Sequence, residues 1–282
     1  MTLRKTKIVA TLGPSSSSEE MLARMITAGV NVVRLNFSHG TAEEHIKRAE
    51  IVRSIAAKLG RPVGVLCDLQ GPKIRIGKFE LGKVALKMGD IFILDADCEL
   101  GNQDHVGLDY KALPQEVSAG DVLLLDDGRI TMQVDRVKGN QIHCLVLNGG
   151  VLSNNKGINR QGGGLSADAL TKKDREDIKT AVKLEADYIA MSFPKNALDV
   201  ELARTLVKKA GGNSSIIAKI ERAEAIENLE AIIESSDAIM VARGDLGVEV
   251  GDAAVPKMKK RMIRMARAQN KLVITATQMM ES

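Results

Sequence analysis

Residues 215–251 read SIIAKIERAEAIENLEAIIESSDAIMVARGDLGVEVG, and this stretch decides the fold. Two short apolar runs, at 216–220 and 238–242, each end abruptly at charged residues. Unbroken apolar runs of this length are typical of strands buried on both faces. The helical pattern between them makes a β-α-β unit, so both strands end at the same edge of a parallel sheet. Ligands of α/β proteins bind at that edge.

The residues at these two strand ends suit a metal ion and an anion. Glu221 and Asp245 are carboxylates of the kind that hold a hard divalent cation such as Mg²⁺. Lys219 places a compact positive charge beside them, and Gly244 leaves the backbone exposed, which favours a phosphate or an enolate as ligand. Two strand-end ion pairs without a function are the open alternative.

Composition excludes several classes of protein. The 282 residues are 27% charged and 44% hydrophobic, as in ordinary globular proteins. A net charge of +4 and an aromatic content of 2% argue against a nucleic-acid partner. Cys67, Cys98 and Cys144 are too widely spaced for a disulfide framework or a zinc site, which fits a reducing cytosol. No apolar stretch approaches the ~20 residues of a membrane span, so we expect a cytoplasmic protein with no membrane partner.

Further β/α units lie on both sides of a different middle segment. Apolar runs at 7–12, 31–37, 63–68, 187–193 and 272–278 bring the predicted parallel strands to seven. Ser17 with Glu20, and Thr41 with Glu44, predict capping boxes at the first two helices. Residues 71–168 instead show short apolar runs separated by turn signals, without a helical period.

The predicted fold class is therefore α/β: a TIM-type (β/α)₈ barrel with seven strands present and the eighth missing, plus an inserted small all-β domain. We expect residues 1–70 and 169–282 to form the incomplete barrel and residues 71–168 to form the inserted domain, called the lid below.

Polar residues follow the predicted strands one after another. A barrel brings its strand exits together on one face, and here these exits carry Arg34, Asn36, Ser38, His39, Asp68, Lys219, Glu221, Arg243, Asp245 and Thr277. Lys73, Arg75 and Lys156 lie in or beside the two connections to the lid, where closure would bring them onto phosphates. Four alternatives are left open: Arg34 as an ion-pair partner of Asp68, His39 as simply the start of a helix, Thr277 as plain strand and Lys156 as a solvated lysine.

Seven segments of the chain resemble the pyruvate kinase family. In order along the whole chain they are TKIVATLGPSS (6–16), VVRLNFSHG (32–40), DLQGPKIR (68–75), NNKGIN (154–159), AKIERAEAIENL (218–229), MVARGDLGVE (240–249) and ITATQMMES (274–282). Any one of them has little weight, whereas seven in order at the family's spacing are highly specific.

The resemblance implies a glycolytic phosphotransferase that moves the phosphoryl group of phosphoenolpyruvate to ADP, giving pyruvate and ATP. It implies Mg²⁺ (or Mn²⁺) held by Glu221 and Asp245, and catalytic roles for Lys219, Arg34 and Thr277. The substrate would meet Arg34, Lys219, Gly244, Asp245 and Thr277, and the nucleotide would meet Asn36, Ser38, His39, Arg75 and Lys156. Arg243 is expected to orient neighbouring groups.

Two departures from the family pattern carry expectations. Members that need K⁺ hold it with Asn36, Ser38 and Asp68 and carry Glu where this chain has Lys73. The ammonium of Lys73 supplies the positive charge that K⁺ provides in those members, so we expect that K⁺ is not required. Family chains also continue through the eighth unit into a C-terminal domain with the effector site and part of a homotetramer interface. The oligomeric state of the shortened chain is therefore left open.

Two rival functions remain at this stage. A metal-dependent lyase or aldolase acting on pyruvate-like enolates would share Glu221 and Asp245, but would need neither the lid nor ADP. A truncated, non-catalytic fragment would bind ligand without turnover.

Overall fold

Three strands and two helices alternate at the start of the chain. The structure, a computed structural model, describes residues 4–251 and 253–276. The first elements are β1 (Val9–Thr11), α1 (Glu19–Ala28), β2 (Val32–Asn36), α2 (Ala42–Lys58) and β3 (Gly64–Asp68), with a 3₁₀ turn at Pro14–Ser16. The strands begin and end within two residues of their predicted bounds.

Side-chain caps define where these helices begin. The Thr41 and Glu44 capping box is present at α2, as predicted. The prediction for α1 was wrong by one residue, because Ser18 rather than Ser17 accepts the hydrogen bond from the Met21 amide. The Ser17 hydroxyl instead donates to the Gly13 carbonyl at 2.7 Å, which ties it to the turn before the helix.

The regular elements of the middle segment are nearly all strands. These are β4 (Lys78–Phe79), β5 (Lys83–Leu86), β6 (Ile91–Asp95), β7 (Leu100–Gly101), β8 (His105–Gly107), β9 (Val122–Leu125), β10 (Ile130–Lys138), β11 (Gln141–Asn148), β12 (Gly150–Ser153) and β13 (Ile158–Arg160). Six of them form one sheet in the order β13-β9-β10-β11-β6-β8. One helical turn, α3 (Leu113–Glu116), interrupts the β pattern. The segment has its own apolar core, which includes Phe92, Leu123 and Cys144.

The β/α alternation then resumes. Its elements are α4 (Lys172–Lys183), β14 (Tyr188–Met191), α5 (Ala197–Lys209), β15 (Ser215–Ile220), α6 (Ala223–Glu227), α7 (Leu229–Ser235), β16 (Ala238–Ala242), α8 (Arg243–Val250), α9 (Val255–Ala268) and β17 (Leu272–Ala276). The single helix expected between β15 and β16 is divided at Asn228. α8, which we did not predict, starts directly after β16.

One parallel sheet organises the described part of the chain. Its strands follow in the order β1-β2-β3-β14-β15-β16-β17, and every neighbouring pair is parallel. The α/β fold class of a partial TIM-type barrel is confirmed, and the carboxyl ends of all seven strands lie along one edge. Within the described ranges, no helix combines the length and the apolar character needed to cross a bilayer.

The apolar core separates into two main bodies. The barrel core includes Leu35, Cys67, Ile189 and Met262, whereas the core of residues 74–165 is a separate cluster. The boundaries that we predicted for the two domains stay a prediction, which this separation supports.

Candidate active site

Lys219 is the centre of a buried charge cluster at the carboxyl edge of the sheet. It lies on β15 with its side chain 11% exposed. Its Nζ is 3.0 Å from Glu221 Oε1 and 3.1 Å from Asp68 Oδ1, and it donates to Ser192 Oγ at 2.7 Å. The parallel register puts the ends of β3, β14 and β15 next to one another, which is why residues far apart in sequence meet here.

The electrostatics of this cluster favour a charged lysine. Burial by itself would lower the pKa of Lys219, but the facing Glu221 and Asp68 carboxylates outweigh it and raise that pKa above its usual value. Burial raises the pKa of Glu221 to about 7; Lys219 opposes this change, and the Asp245 and Asp68 charges add to it. Glu221 is therefore a buried carboxylate beside two others, an arrangement that a cation stabilises.

Arg34 forms the ion pair with Asp68 that was the alternative prediction for it. Its Nε lies 2.6 Å from Asp68 Oδ2, and its Nη1 donates to Thr11 Oγ1 at 2.9 Å. The Arg34 side chain keeps 26% of its surface exposed. Asp68 thus bridges Arg34 and Lys219 and holds both cations at the edge of the sheet. This ion pair leaves part of the guanidinium open to an anionic ligand.

Helix α8 carries Gly244 and Asp245 in its first turn. The first amides of a helix have no partner inside the helix, and open space surrounds Gly244 where a Cβ would lie. Arg243 Nε donates to the Ala276 carbonyl at 3.1 Å, which connects α8 to the end of β17. Thr277, predicted as a substrate and catalytic residue, lies outside the described residues.

Glu221 and Asp245 fit the divalent cation expected from the sequence. Both offer hard oxygen donors, and Asp245 is close enough to raise the pKa of buried Glu221. In the described part of the chain, no three His, Cys, Asp or Glu side chains gather as a complete metal cage. Mg²⁺ binds typically through one or two carboxylates together with waters and substrate oxygens, so two carboxylates suit it.

Lys73 joins the lid to this site. Its Nζ lies 3.2 Å from Asp245 Oδ1 and 3.7 Å from Asp127 Oδ1 in the lid. The described contacts of its ammonium are thus with a predicted Mg²⁺ ligand and with the lid. Sequence reasoning did not identify Asp127, because it lies at a lid turn and not at a strand exit.

The loop after β2 places Asn36, Ser38 and His39 in one tight turn. Asn36 Oδ1 accepts from the Ser38 amide at 3.1 Å, and the His39 amide donates to the Asn36 carbonyl at 3.2 Å. His45 Nε2 lies 2.9 Å from the His39 carbonyl, and its ring stacks on Phe37 with centroids 4.3 Å apart. A carbonyl only accepts, so Nε2 carries the proton.

Arg75 and Lys156 lie together where the lid meets its connections. Arg75 forms a β-bridge with Gly157, and its Nη1 donates to the Asn155 carbonyl at 3.1 Å. Lys156 Nζ lies 2.6 Å from Asp126 Oδ1. The structure thus brings these two predicted nucleotide residues near each other, with their described contacts inside the lid.

Two contributors to the site were missed from the sequence. Ser192, which follows β14, accepts from Lys219, and the Phe193 amide donates to Glu221 Oε2 at 3.1 Å. Examining the exit of β14 as we examined the other exits would have found Ser192. The Phe193 amide has no signal in the sequence, because any residue type supplies it.

A seven-stranded parallel sheet with a lysine, two carboxylates and a helix N-terminus at its carboxyl edge defines a β/α-barrel protein with a candidate site for a cation and an anion. Comparison with known proteins identifies the family. Residues 3–282 match the family model described as pyruvate kinase, barrel domain.

Named relatives and a solved structure agree with this match. The chain is 57% identical to the pyruvate kinase of Haemophilus influenzae and 56% identical to that of Buchnera aphidicola from Acyrthosiphon pisum, covering 99% of this chain in both cases. The crystal structure of a pyruvate kinase from Cryptosporidium parvum superposes with a TM-score of 0.91 at 38% identity, over 98% of this chain and 58% of that one.

The chain belongs to the pyruvate kinase family. It spans about 60% of the length of the Haemophilus protein and 59% of the Buchnera protein.

Proposed function

We propose that this chain catalyses phosphoryl transfer from phosphoenolpyruvate to ADP, giving pyruvate and ATP in the cytoplasm. The observation that carries the proposal is the buried Lys219, held between Glu221 and Asp68 at the carboxyl edge of the sheet. Phosphoryl transfer depends on positioning the reactants and on neutralising spread negative charge. A lysine fixed by two carboxylates and a serine is suited to that task.

Glu221 and Asp245 would hold Mg²⁺ or Mn²⁺ beside Lys219. Such a cation neutralises charge on the phosphoryl and enolate oxygens when it is bound. The backbone of Gly244 and Asp245, at the start of α8, would bind the carboxylate of phosphoenolpyruvate together with Thr277. The exposed part of Arg34 would bind the phosphoryl group, while Asp68 keeps its guanidinium in place.

During transfer the bond between the phosphorus and the enol oxygen breaks, and a bond to an oxygen of the β-phosphate of ADP forms. Lys219 would stabilise the charge of the moving group. Asn36, Ser38, His39, Arg75 and Lys156 would surround the nucleotide phosphates. The enolate that remains takes a proton on carbon, with Thr277 and a water as the proposed route.

We also propose that the reaction does not require K⁺. The ammonium of Lys73 brings a positive charge to Asp245 at 3.2 Å, and Asp68 is already paired with Arg34 and Lys219. Asn36 and Ser38 would then contact the nucleotide phosphates, and Asp68 would hold Arg34 and Lys219 in place. None of the three would bind K⁺.

The test is pyruvate formation by this 282-residue chain from phosphoenolpyruvate, ADP and Mg²⁺ in K⁺-free buffer. Turnover is expected, and it should stop when ADP is left out. ADP-independent consumption of an enolate substrate would instead favour a lyase or aldolase. Binding of Mg²⁺ and oxalate, which mimics the enolate, without turnover after K⁺ is added would favour a fragment that only binds ligand.

A further inference from the structure

Helix α8 contacts both sides of the lid attachment. Its first turn carries Asp245, whose Oδ1 lies 3.2 Å from Nζ of Lys73. Lys73 lies in residues 69–77, where the chain passes from the barrel into the lid, and this stretch is called the first connection below. One turn after Asp245, Glu249 faces the returning chain, and the helix lies against β13, the last strand of the lid. Residues four apart share one face of a helix. One face of α8 therefore contacts the chain where it enters the lid and where it leaves.

Glu249 joins three segments through a single residue. Its Oε1 lies 3.4 Å from Asn159 Nδ2 on β13. Its backbone carbonyl accepts from the Gly162 amide at 3.2 Å. Gly162 lies in residues 161–171, where the chain passes from the lid back into the barrel, and this stretch is called the second connection. Glu249 Oε2 accepts from the Ala223 amide at 2.9 Å, two residues after Glu221. The residue is 7% exposed, so water does not readily replace these bonds.

The backbone that follows Glu221 is held to the second connection by another contact. Arg222 Nη2 donates to the Leu165 carbonyl at 2.8 Å, and Arg222 is 5% exposed. The segment after Glu221 and the helix that carries Asp245 are thus both attached to the chain leaving the lid. Any displacement of that chain acts on both carboxylates together.

Glu224 is a matched control for Glu249, because it is a second carboxylate that contacts the chain leaving the lid. Its Oε1 accepts from the Gly164 amide of the second connection at 2.6 Å. It lies on α6, however, and its carboxylate contacts Arg222 rather than α8. Loss of the Glu224 contact should loosen the connection without releasing α8.

We propose that Glu249 is a positioning residue for the cation site. It ties β13 and the second connection to the helix that carries Asp245 and to the backbone after Glu221, so the two carboxylates take their places together with the lid. The proposal rests on the proposed function for the identity of the cation. The mechanical link itself depends only on the contacts of Glu249.

The experiment compares wild type, Glu249→Gln, Asn159→Ala and Glu224→Gln in the full chain. A glutamine offers one oxygen in place of two, so either Ala223 or Asn159 loses its acceptor. Mn²⁺ affinity is measured by titration with detection of free Mn²⁺, and amide hydrogen exchange is followed at residues 157–165, 221–225 and 243–250. Both readouts are independent of catalysis.

Glu249→Gln and Asn159→Ala should each weaken Mn²⁺ binding, the former by about tenfold, which is typical when a residue supporting a metal ligand is lost. In both variants exchange should accelerate at 221–225 and 243–250. Glu224→Gln replaces the charge-assisted bond to the Gly164 amide with a weaker neutral one, so exchange near 163–165 should accelerate. Its Mn²⁺ affinity should stay within about twofold of wild type. This combination supports the proposal.

Unchanged Mn²⁺ affinity and unchanged exchange at 221–225 and 243–250 in Glu249→Gln would overturn it. An equal loss of affinity in Glu224→Gln would also overturn it, because the effect would then belong to the connection in general. If Glu249→Gln does not fold, Asn159→Ala decides by the same readouts. A wild-type chain that binds no Mn²⁺ refutes the proposed cation site, and hydrogen exchange alone then decides the positioning role.

Discussion

Lys219 combines two properties that are rarely found together in one side chain. It is almost fully buried, yet its contacts with Glu221 and Asp68 keep it charged. A buried charge without partners is costly, so the carboxylates are needed for the lysine to be present at all. The same contacts fix the position of Nζ, which the proposed function places on the path of the phosphoryl group.

Lys219→Met should lower kcat by roughly 10³-fold or more, since other cations that stabilise phosphoryl transfer have effects of this size. Steady-state kinetics with phosphoenolpyruvate and ADP measure it. Lys179→Met, at an exposed lysine paired with Glu176, is the control for loss of charge. A loss of less than tenfold in Lys219→Met would show that Lys219 is structural.

Lys73→Glu should create a requirement for K⁺. The substitution removes the ammonium beside Asp245 and Asp127 and adds a third carboxylate, so a monovalent cation is needed to restore the charge. Initial rates with and without K⁺, at constant ionic strength, measure the requirement. Equal rates for the variant under both conditions would contradict the role of Lys73.

His45 should make the folded state less stable in mild acid. Burial lowers its pKa, and the His39 carbonyl, Asp177 and Glu44 raise it only in part, with Arg48 adding to the lowering. Between the unfolded pKa of about 6.5 and the lower folded pKa, the unfolded chain binds the proton, so stability falls as pH falls.

His45→Gln should remove this loss, which reaches up to about 1.4 kcal/mol per pH unit. Urea unfolding at pH 7 and pH 5 compares the two proteins. The same difference between the two pH values in wild type and variant would exclude His45 as its source.

At the scale of elements, the two capping boxes of α2 and α4 have different surroundings. At α2, Glu44 is exposed; its Oε2 accepts from the Thr41 amide and lies 4.0 Å from Arg48 Nη2. At α4, Asp174 is fully buried; its Oδ2 accepts from the Thr171 amide and its Oδ1 from the Gly71 amide in the first connection. The cap of α4 therefore also fixes the start of the lid connection.

Asp174→Ala should destabilise the protein by about 2–4 kcal/mol, because the carboxylate half of the capping box is lost and the buried Gly71 amide loses its acceptor. Glu44→Ala should cost about 0.5–1 kcal/mol, as expected when one exposed hydrogen bond of a capping box is lost. Denaturant unfolding followed by circular dichroism measures both. Equal costs would show that the bond to Gly71 contributes nothing.

At the scale of the whole molecule, the barrel and the lid have separate apolar cores, and we predict that each core is a separate unit of stability. Cys67 lies in the barrel core and Cys144 in the lid core, while Cys98 is partly exposed. Burial raises the pKa of Cys67 above its usual value and that of Cys144 to about 12, so both thiols stay unreactive until their core opens.

Pulse labelling of thiols along a urea gradient should expose Cys67 and Cys144 in separate transitions, since domains with their own cores need not unfold together. Mass spectrometry assigns the label, and Cys98 serves as the internal reference. Coincident transitions would contradict the predicted division at residues 70–71 and 168–169.

The sequence by itself determined the alternation of elements and the residue types at the strand exits. Its apolar runs placed all seven strands, because an unbroken run is the direct mark of a strand buried on both faces. Its capping box predicted the start of α2 correctly, whereas the run of serines at 15–18 led to a predicted cap for α1 that was one residue too early. The sequence also predicted that Arg34, Lys219, Glu221 and Asp245 lie at one edge of the sheet, because parallel strands end there.

Only the tertiary structure decided which of these groups touch. It placed Asp68 between Arg34 and Lys219, brought Lys73 to Asp245, and added Ser192 and the Phe193 amide to the site. It also connected Glu249 to the attachment of the lid, although the sequence predicted no role for this residue. Contacts across strands depend on the register of the sheet and the packing of loops, and no local pattern encodes either of them.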